Sequence, residues 1–432
     1  MPGRFRLFVA FFMAFSAPAL AQTTVLDSSA DWIVAGDQPT GTFGARLAPA
    51  GDVDGDGYDD VLIGDALYDG AFVDSGRITL HRGSAAGLSL LPDWSLEGGA
   101  ASAGLSSAFG AGDVNTDGFD DIVIQRTTGQ LDLLLGSPGG PSASPAWTTI
   151  GSYGGHGDFN GDGFVDLVVS LPPSPQPPTS LQFFMGSGVG LPSSATASLS
   201  IPQLSSYVPA IADVNGDGYS DTAVIWRTCS TNCSRVTWTL AAYLGSDLGP
   251  RMLVKRHIDI VDPTGVPSLT EAGDVNGDGF GDLAVTVNVD IIVDINQSAK
   301  VLLFHGSRSG IESQPDLVWA SSYGRMGLGP IRGAGDLHGD GFADLLVPDY
   351  DPVPGTGTVL SIRRGSASGV VATPSLRIRE EQRSASGFAL AASGVGDVNG
   401  DGYGDFVFSA PRFTIGGLER GRVYAFHGSP SL

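Results

Sequence analysis

The chain is short of cysteine, of basic residues and of long apolar runs, and each shortage excludes something. Lys and Arg number 23 against 46 Asp and Glu, a formal net charge of −23. A nucleic-acid-binding surface needs basic side chains to neutralise phosphate, so that class of partner is set aside. Charged residues of all kinds make up only 16%, whereas 63 residues are Gly and 27 are Pro. Long helical and coiled-coil proteins are rich in Ala, Glu, Lys and Leu and poor in Gly, so that architecture is excluded too. Apolar residues reach 42%, enough to build a core, which argues against disorder. No segment after the N-terminal one approaches the roughly 18 apolar residues of a membrane-spanning helix, and no Cys follows the N-terminal apolar run. G-x-S-x-G, H-E-x-x-H and Cys/His metal clusters are missing, so nothing marks a catalytic centre and the chain is not expected to be an enzyme.

The first residues read as an export signal. Arg4 and Arg6 precede an unbroken apolar run over residues 7–15, and Ala19-Leu20-Ala21 has the small-x-small form of a cleavage site. Residues 1–21 are therefore expected to be a signal peptide and Gln22 the first residue of the mature chain. The protein is expected in a periplasm, at a cell surface or outside the cell. Residues 22–432 are read as one domain.

That domain is repetitive. A nine-residue acidic pattern, D-x-[DN]-x-D-G-[YF]-x-D with one departure, occurs seven times: at 52–60, 113–121, 158–166, 213–221, 274–282, 336–344 and 397–405. A second marker, Gly-Ser at the end of an apolar run, interleaves with it at Gly83, Gly136, Gly186, Gly245, Gly306, Gly365 and Gly428. Two markers in phase seven times over signal a repeat architecture. Short strand-like runs such as Val61-Leu62-Ile63, Ile122-Val123-Ile124 and Val423-Tyr424-Ala425-Phe426 flank them, punctuated by Gly, Pro and Ser. The expected fold is all-β: a seven-bladed β-propeller of four-stranded blades. Trp32-Ile33-Val34 stands before the first acidic loop, and the chain stops soon after Gly428-Ser429. Residues near 30–35 are therefore expected to supply the outer strand of the last blade and close the ring. An open solenoid is disfavoured, because units this long are unusual for it and it needs distinct caps.

The acidic loops have the donor set of a hard cation. Ca²⁺ takes six to eight oxygens, which a loop can offer from alternate positions. In the first copy Asp52, Asp54, Asp56 and Asp60 offer carboxylates and Tyr58 a backbone carbonyl. The same roles fall to Asp113, Asn115, Asp117, Phe119 and Asp121 in the second, and to Asp158, Asn160, Asp162, Phe164 and Asp166 in the third. The fourth has Asp213, Asn215, Asp217, Tyr219 and Asp221, and the fifth Asp274, Asn276, Asp278, Phe280 and Asp282. The sixth has Asp336, Asp340, Phe342 and Asp344, and the seventh Asp397, Asn399, Asp401, Tyr403 and Asp405. Carboxylates this close repel one another unless a cation sits among them. Solvated turn aspartates are the plainer alternative, but turn chemistry does not require Asp at positions one, five and nine of every copy. Up to seven calcium ions are expected. The loop is not an EF-hand, since position twelve is apolar in all seven copies (Ile63, Ile124, Val169, Val224, Val285, Val347, Phe408) where an EF-hand needs Glu. Two copies depart from the pattern. Thr116 replaces Gly at position four, read as a mild change, and His338 stands at position three of the sixth, where imidazole suits a hard cation poorly. The sixth site is expected to be weak, water-assisted or empty.

These residues resemble FG-GAP repeats, the blades of the integrin α-subunit N-terminal propeller and of bacterial VCBS-type proteins. The Phe-Gly lead-in of that family stands at Phe43-Gly44 and Phe109-Gly110, is altered to Tyr153-Gly154 and Tyr323-Gly324, and is reversed at Gly387-Phe388; units four and five have no clear version. The resemblance implies that the metal loops share one face, act as structural staples, and lie away from the face that takes a ligand.

Cys229 and Cys233, the two cysteines, are expected to form a disulfide across a loop tip. His81, His305 and His427, next to the Gly-Ser turns, read as repeat positions rather than ligands. The loops opposite the acidic ones, near 65–75, 170–179, 227–235, 288–299, 348–356 and 409–420, vary most, and variation on a rigid scaffold is where binding usually lives. Tyr68, Phe72, Tyr350 and Phe413 are the candidate ligand-face aromatics. The expected function is adhesion or protein recognition by a monomer, through an extracellular protein or glycan. A lectin-like carbohydrate-binding propeller is the alternative, and a polysaccharide-active enzyme a more distant one.

Overall fold

The computed structural model describes residues 22–25, 30–171, 179–201, 209–229, 236–258, 267–287, 300–312, 314–320, 331–350, 358–379, 387–389 and 391–432. Regular structure among them is all strand. Seven antiparallel sheets form, each carrying one acidic loop between its first and second strands. Blade 1 runs Arg46–Gly51, Asp60–Asp65, Arg77–His81 and Trp94–Glu97. Blade 2 spans Ser107–Gly112 to Trp147–Ile150, blade 3 Ser152–Gly157 to Ala197–Ile201, and blade 4 Ala210–Ala212 to Arg251–Ile258. Blade 5 spans Pro267–Gly273 to Leu317–Ala320, and blade 6 Arg332–Gly335 to Leu376–Arg379. The first strands of successive blades touch in order, and that of blade 7, Ala392–Gly396, touches that of blade 1. The ring is closed and sevenfold.

The closing strand is the expected one. Trp32–Ala35 pairs antiparallel with Arg422–Phe426, with Trp32 opposite Ala425 and Ala35 opposite Arg422. The N-terminal residues add something unforeseen. Gln22–Val25 lies parallel to Leu376–Arg379 as a fifth strand on the outer edge of blade 6.

Second strands are apolar without alternation because both their faces are covered by neighbouring blades. Asp60–Asp65, Asp282–Val287 and Asp405–Ala410 are buried at every position. The core divides into seven clusters, one per seam between blades. Ile122 and Ile124 of blade 2, for instance, pack with Leu62, Ile78 and Leu80 of blade 1. Each fully buried aliphatic side chain stabilises the fold by about 1.5–3 kcal/mol. The Phe-Gly lead-in aromatics serve the same seams: Phe109 stacks on Tyr153 of the next blade with ring centroids 4.6 Å apart.

Candidate metal centres

Each acidic loop is organised by its first aspartate. Asp52 Oδ1 accepts the amides of Gly55 (2.8 Å) and Asp56 (3.0 Å), and Oδ2 accepts that of Gly57 (2.8 Å). Asp158, Asp213, Asp274 and Asp397 do the same in their loops. The fifth-position carboxylate then accepts the seventh amide, as in Asp56 with Tyr58 at 3.1 Å. In five loops the Asn at position three donates to the fifth carboxylate at 2.8–3.0 Å.

The ninth aspartate opens the second strand and is wholly buried in all seven blades. Asp60 Oδ2 accepts the Val53 amide at 3.2 Å and Oδ1 accepts the Gly83 amide at 3.0 Å. Gly83 belongs to the Gly-Ser marker, and the same pair of bonds recurs from Asp121 to Asp405. This bond is the physical reason the two sequence markers run in phase. Burial pushes these acids up, to about 7 at Asp60, Asp121, Asp166 and Asp221 and about 6 at Asp282 and Asp405, while the backbone donors pull the other way.

A divalent cation fits the first loop. Asp52, Asp54 and Asp56 present carboxylate oxygens within 4.8 Å of one another, and Asp54 Oδ1 is buried with no hydrogen-bond partner. Burial also raises the Asp54 carboxyl above its ordinary range, with Asp56 and Asp52 adding to the shift and Arg82 opposing it. Arg82 Nη1 lies 2.6 Å from Asp54 Oδ2 and balances the carboxylate that stands where five other loops have Asn. Each ninth-position oxygen of that loop, with one backbone donor, keeps a second lone pair for an ion.

The seventh-position aromatics have a role beyond their carbonyls. Their rings cover the fourth-position Gly of the preceding blade. A Cβ at Gly55, Gly161, Gly216, Gly277, Gly339 or Gly400 would come within 2.4–2.7 Å of Phe119, Tyr219, Phe280, Phe342, Tyr403 or Tyr58 respectively. The last of these pairs joins blade 7 to blade 1. These glycines have φ between 66° and 74°, a left-handed conformation that side chains disfavour. Thr116 adopts it too, at φ 55°. The expectation that Thr116 is a mild change is corrected: a β-branched residue there costs on the order of 1–3 kcal/mol.

Two residues of this face were missed by sequence reasoning. Asp120 Oδ2 accepts the Asp52 amide at 2.9 Å and Asp59 Oδ2 accepts the Asp397 amide at 2.8 Å, so each crosses to the preceding blade. The signal was present, since only the first two copies have Asp at position eight. Two more face the ring's centre. His156 pairs with Leu167 at the register position that Glu271 holds against Leu283 in blade 5. Both side chains are exposed, and the surrounding protein wall disfavours the charged form of each, moving the imidazole down and the carboxyl up. His156 Nδ1 lies 2.7 Å from Tyr153 Oη, which also lies 2.7 Å from the Gly110 carbonyl. His81 is structural, its Nδ1 2.9 Å from the Ser89 carbonyl and its ring edge-on to Trp32.

On the opposite face, Phe72 is 46% exposed, beside exposed Leu67 and Val73 on the same hairpin. Tyr68 is half-buried beneath the Arg77 guanidinium, 3.7 Å from its ring, and Arg77 is paired with Asp37 at 2.8 Å. Phe413 does not belong with them: it is 4% exposed, packed in the seam of blades 6 and 7 under Arg422. The short hairpin Thr414–Glu419 follows it, with Ile415 packed against the same seam. Tyr350 ends the second strand of blade 6, opposite Thr358. Cys229 ends a strand of blade 4, and Cys233 lies outside the described residues, as do most of the loops near 172–178, 230–235, 288–299 and 351–357.

The model of the FG-GAP-like repeat matches residues 158–224, and that of the FG-GAP repeat matches residues 389–426. The chain carries FG-GAP repeats in these two segments. Its FG-GAP blades are similar to integrin α subunits. Integrin alpha-PS2 of Drosophila melanogaster is 42% identical over 103 residues, covering 22% of this chain and 7% of that protein. Integrin alpha-8 of Homo sapiens is 28% identical over 172 residues, covering 36% and 15%. Integrin alpha pat-2 of Caenorhabditis briggsae is 37% identical over 111 residues, covering 24% and 9%. The chain thus aligns with no more than 15% of the length of these curated relatives. Among the described residues no helix is long and apolar enough to cross a membrane.

Proposed function

We infer that this FG-GAP propeller is an exported calcium-binding module for adhesion or protein recognition, in which calcium is structural and the rim opposite the acidic loops takes the partner. The observation that carries the metal part is the first loop, where three carboxylates converge and one buried oxygen has no partner in the protein. Asp, Asn and backbone carbonyl oxygens from positions one, three, five, seven and nine would hold the ions. The chemistry a bound calcium supplies is charge neutralisation, which lets the carboxylates stay ionised in the seams. At about 1 mM calcium and a Kd near 10⁻⁴ M, each ion stabilises the fold by about 1.4 kcal/mol.

Recognition by the opposite rim is supported by the likeness to integrin α subunits and by the apolar hairpin that carries Leu67, Phe72 and Val73. Residues 1–21 are removed on export in this reading, and Cys229 pairs with Cys233. Screening the purified mature protein against an array of extracellular proteins tests it. Phe72→Ala combined with Tyr68→Ala should weaken the binding found by about tenfold or more while the fold is kept, as buried aromatic anchors do; unchanged binding would remove the ligand site from this hairpin. A lectin is the second reading. It is favoured by a cleft of about 200 Å³ between blades 1 and 2, where Trp94 stands near Asp132, Arg126 and Ser142. Binding on a glycan array that Trp94→Ala abolishes would support it over the first.

A further inference from the structure

The sixth loop differs from its six counterparts in geometry as well as in sequence. His338 stands at position three, where five loops have Asn and one has Asp. It is buried, 3% exposed, with Nδ1 2.6 Å from Oδ2 of Asp344, the ninth-position carboxylate. That oxygen also accepts the Leu337 amide at 3.0 Å, while Oδ1 accepts the Gly365 amide at 2.9 Å. A carboxylate oxygen has two lone pairs, so Asp344 Oδ2 is full. In the other six loops the corresponding oxygen takes one backbone donor, and its second lone pair is left for a cation. The far nitrogen of the ring, Nε2, lies 3.1 Å from the main-chain oxygen of Leu432, which also accepts from Arg364 Nη2 at 3.1 Å. Both ring nitrogens thus lie against oxygen atoms of other residues.

We propose that the sixth loop takes no calcium: the His338 imidazole occupies the ion's place, holds Asp344 and ties the loop to the last residues of blade 7. The contrast with loop one defines the logic. There the additional carboxylate, Asp54, is paired with Arg82 through Oδ2, and its Oδ1 has no hydrogen-bond partner. In loop six the basic group is inside, on the ninth aspartate itself. Six ions per chain follow.

This rests on the calcium reading of the other loops, and the experiment separates the two. Native mass spectrometry of the mature protein saturated with calcium should count six ions, and His338→Asn should add one. No added ion in His338→Asn, or seven in the parent protein, overturns the proposal; no ion in either overturns the calcium reading and the proposal together. Should the variant fail to fold, hydrogen exchange of the parent protein with and without EDTA decides. Amides of the other acidic loops should lose protection by about tenfold or more on chelation, while those of residues 338–344 change little. Equal loss in loop six overturns the proposal.

Discussion

The two rims of this ring are built on different terms. On the acidic rim each position is bound to another blade or to its own loop. The ninth aspartate ties loop to Gly-Ser turn, the seventh aromatic covers the preceding blade, and backbone bonds such as Asp120 N to Asp52 O and Gly404 N to Asp336 O cross seams. On the opposite rim, loops differ in length and content from blade to blade, and local pairs such as Arg77 with Asp37 hold them one at a time. A sequence constraint repeated seven times reflects a bond repeated seven times. Where no bond repeats, sequence is free to vary, and that freedom is what a recognition surface requires.

The largest test of this contrast is removal of metal. EDTA should lower the melting temperature by on the order of 10 °C or more, because ions at six loops together contribute several kcal/mol; an unchanged melting temperature would mean that the acidic rim holds itself. Next comes Asp121→Ala, which leaves the buried amides of Val114 and Gly136 without acceptors. A loss of about 3 kcal/mol or more in a denaturant titration is expected.

The metal-free protein should also depend on pH in an unusual direction. Asp60, Asp121, Asp166 and Asp221 have folded pKa values of about 7, well above the unfolded carboxylate value near 3.9. The native state therefore holds more protons than the unfolded one between about pH 4 and pH 7, and stability falls as pH rises through that window. In EDTA the melting temperature should be several degrees higher at about pH 5 than at about pH 8, and saturating calcium should remove the difference.

Smaller effects are expected from single substitutions on either rim. Thr116→Gly should stabilise the protein by about 1 kcal/mol through relief of left-handed strain, whereas Gly161→Ala, against the Tyr219 ring, should destabilise it by at least as much. Phe72→Ala, on the other rim, should shift stability by less than about 0.5 kcal/mol. A large loss there would show that the hairpin is part of the ring's scaffold.

Much of the fold was legible because the repeat makes its own case. The interleaved acidic and Gly-Ser markers, the apolar second strands and the surplus strand at Trp32 each had a single closed solution. The parallel strand at Gln22–Val25 was not legible, since four residues added to an outer edge carry no pattern of their own. Exposure was harder to read than pairing. Phe72 and Phe413 both stand in variable loops, yet only Phe413 meets a seam and an overlying Arg422. The substitution at His338 was visible, but not that its ring would saturate Asp344.

The number of blades, the closure of the ring and the place of each acidic loop followed from the sequence alone, because they depend on short-range spacing repeated seven times. Which side chains meet across and within the loops came from the packing of the sheets: Asp59 and Asp120 reach the preceding loop, Tyr58 lies over Gly400, and His338 turns onto Asp344 of its own loop. Those contacts depend on how neighbouring sheets stack, and no spacing along one chain segment encodes the face that another segment presents to it.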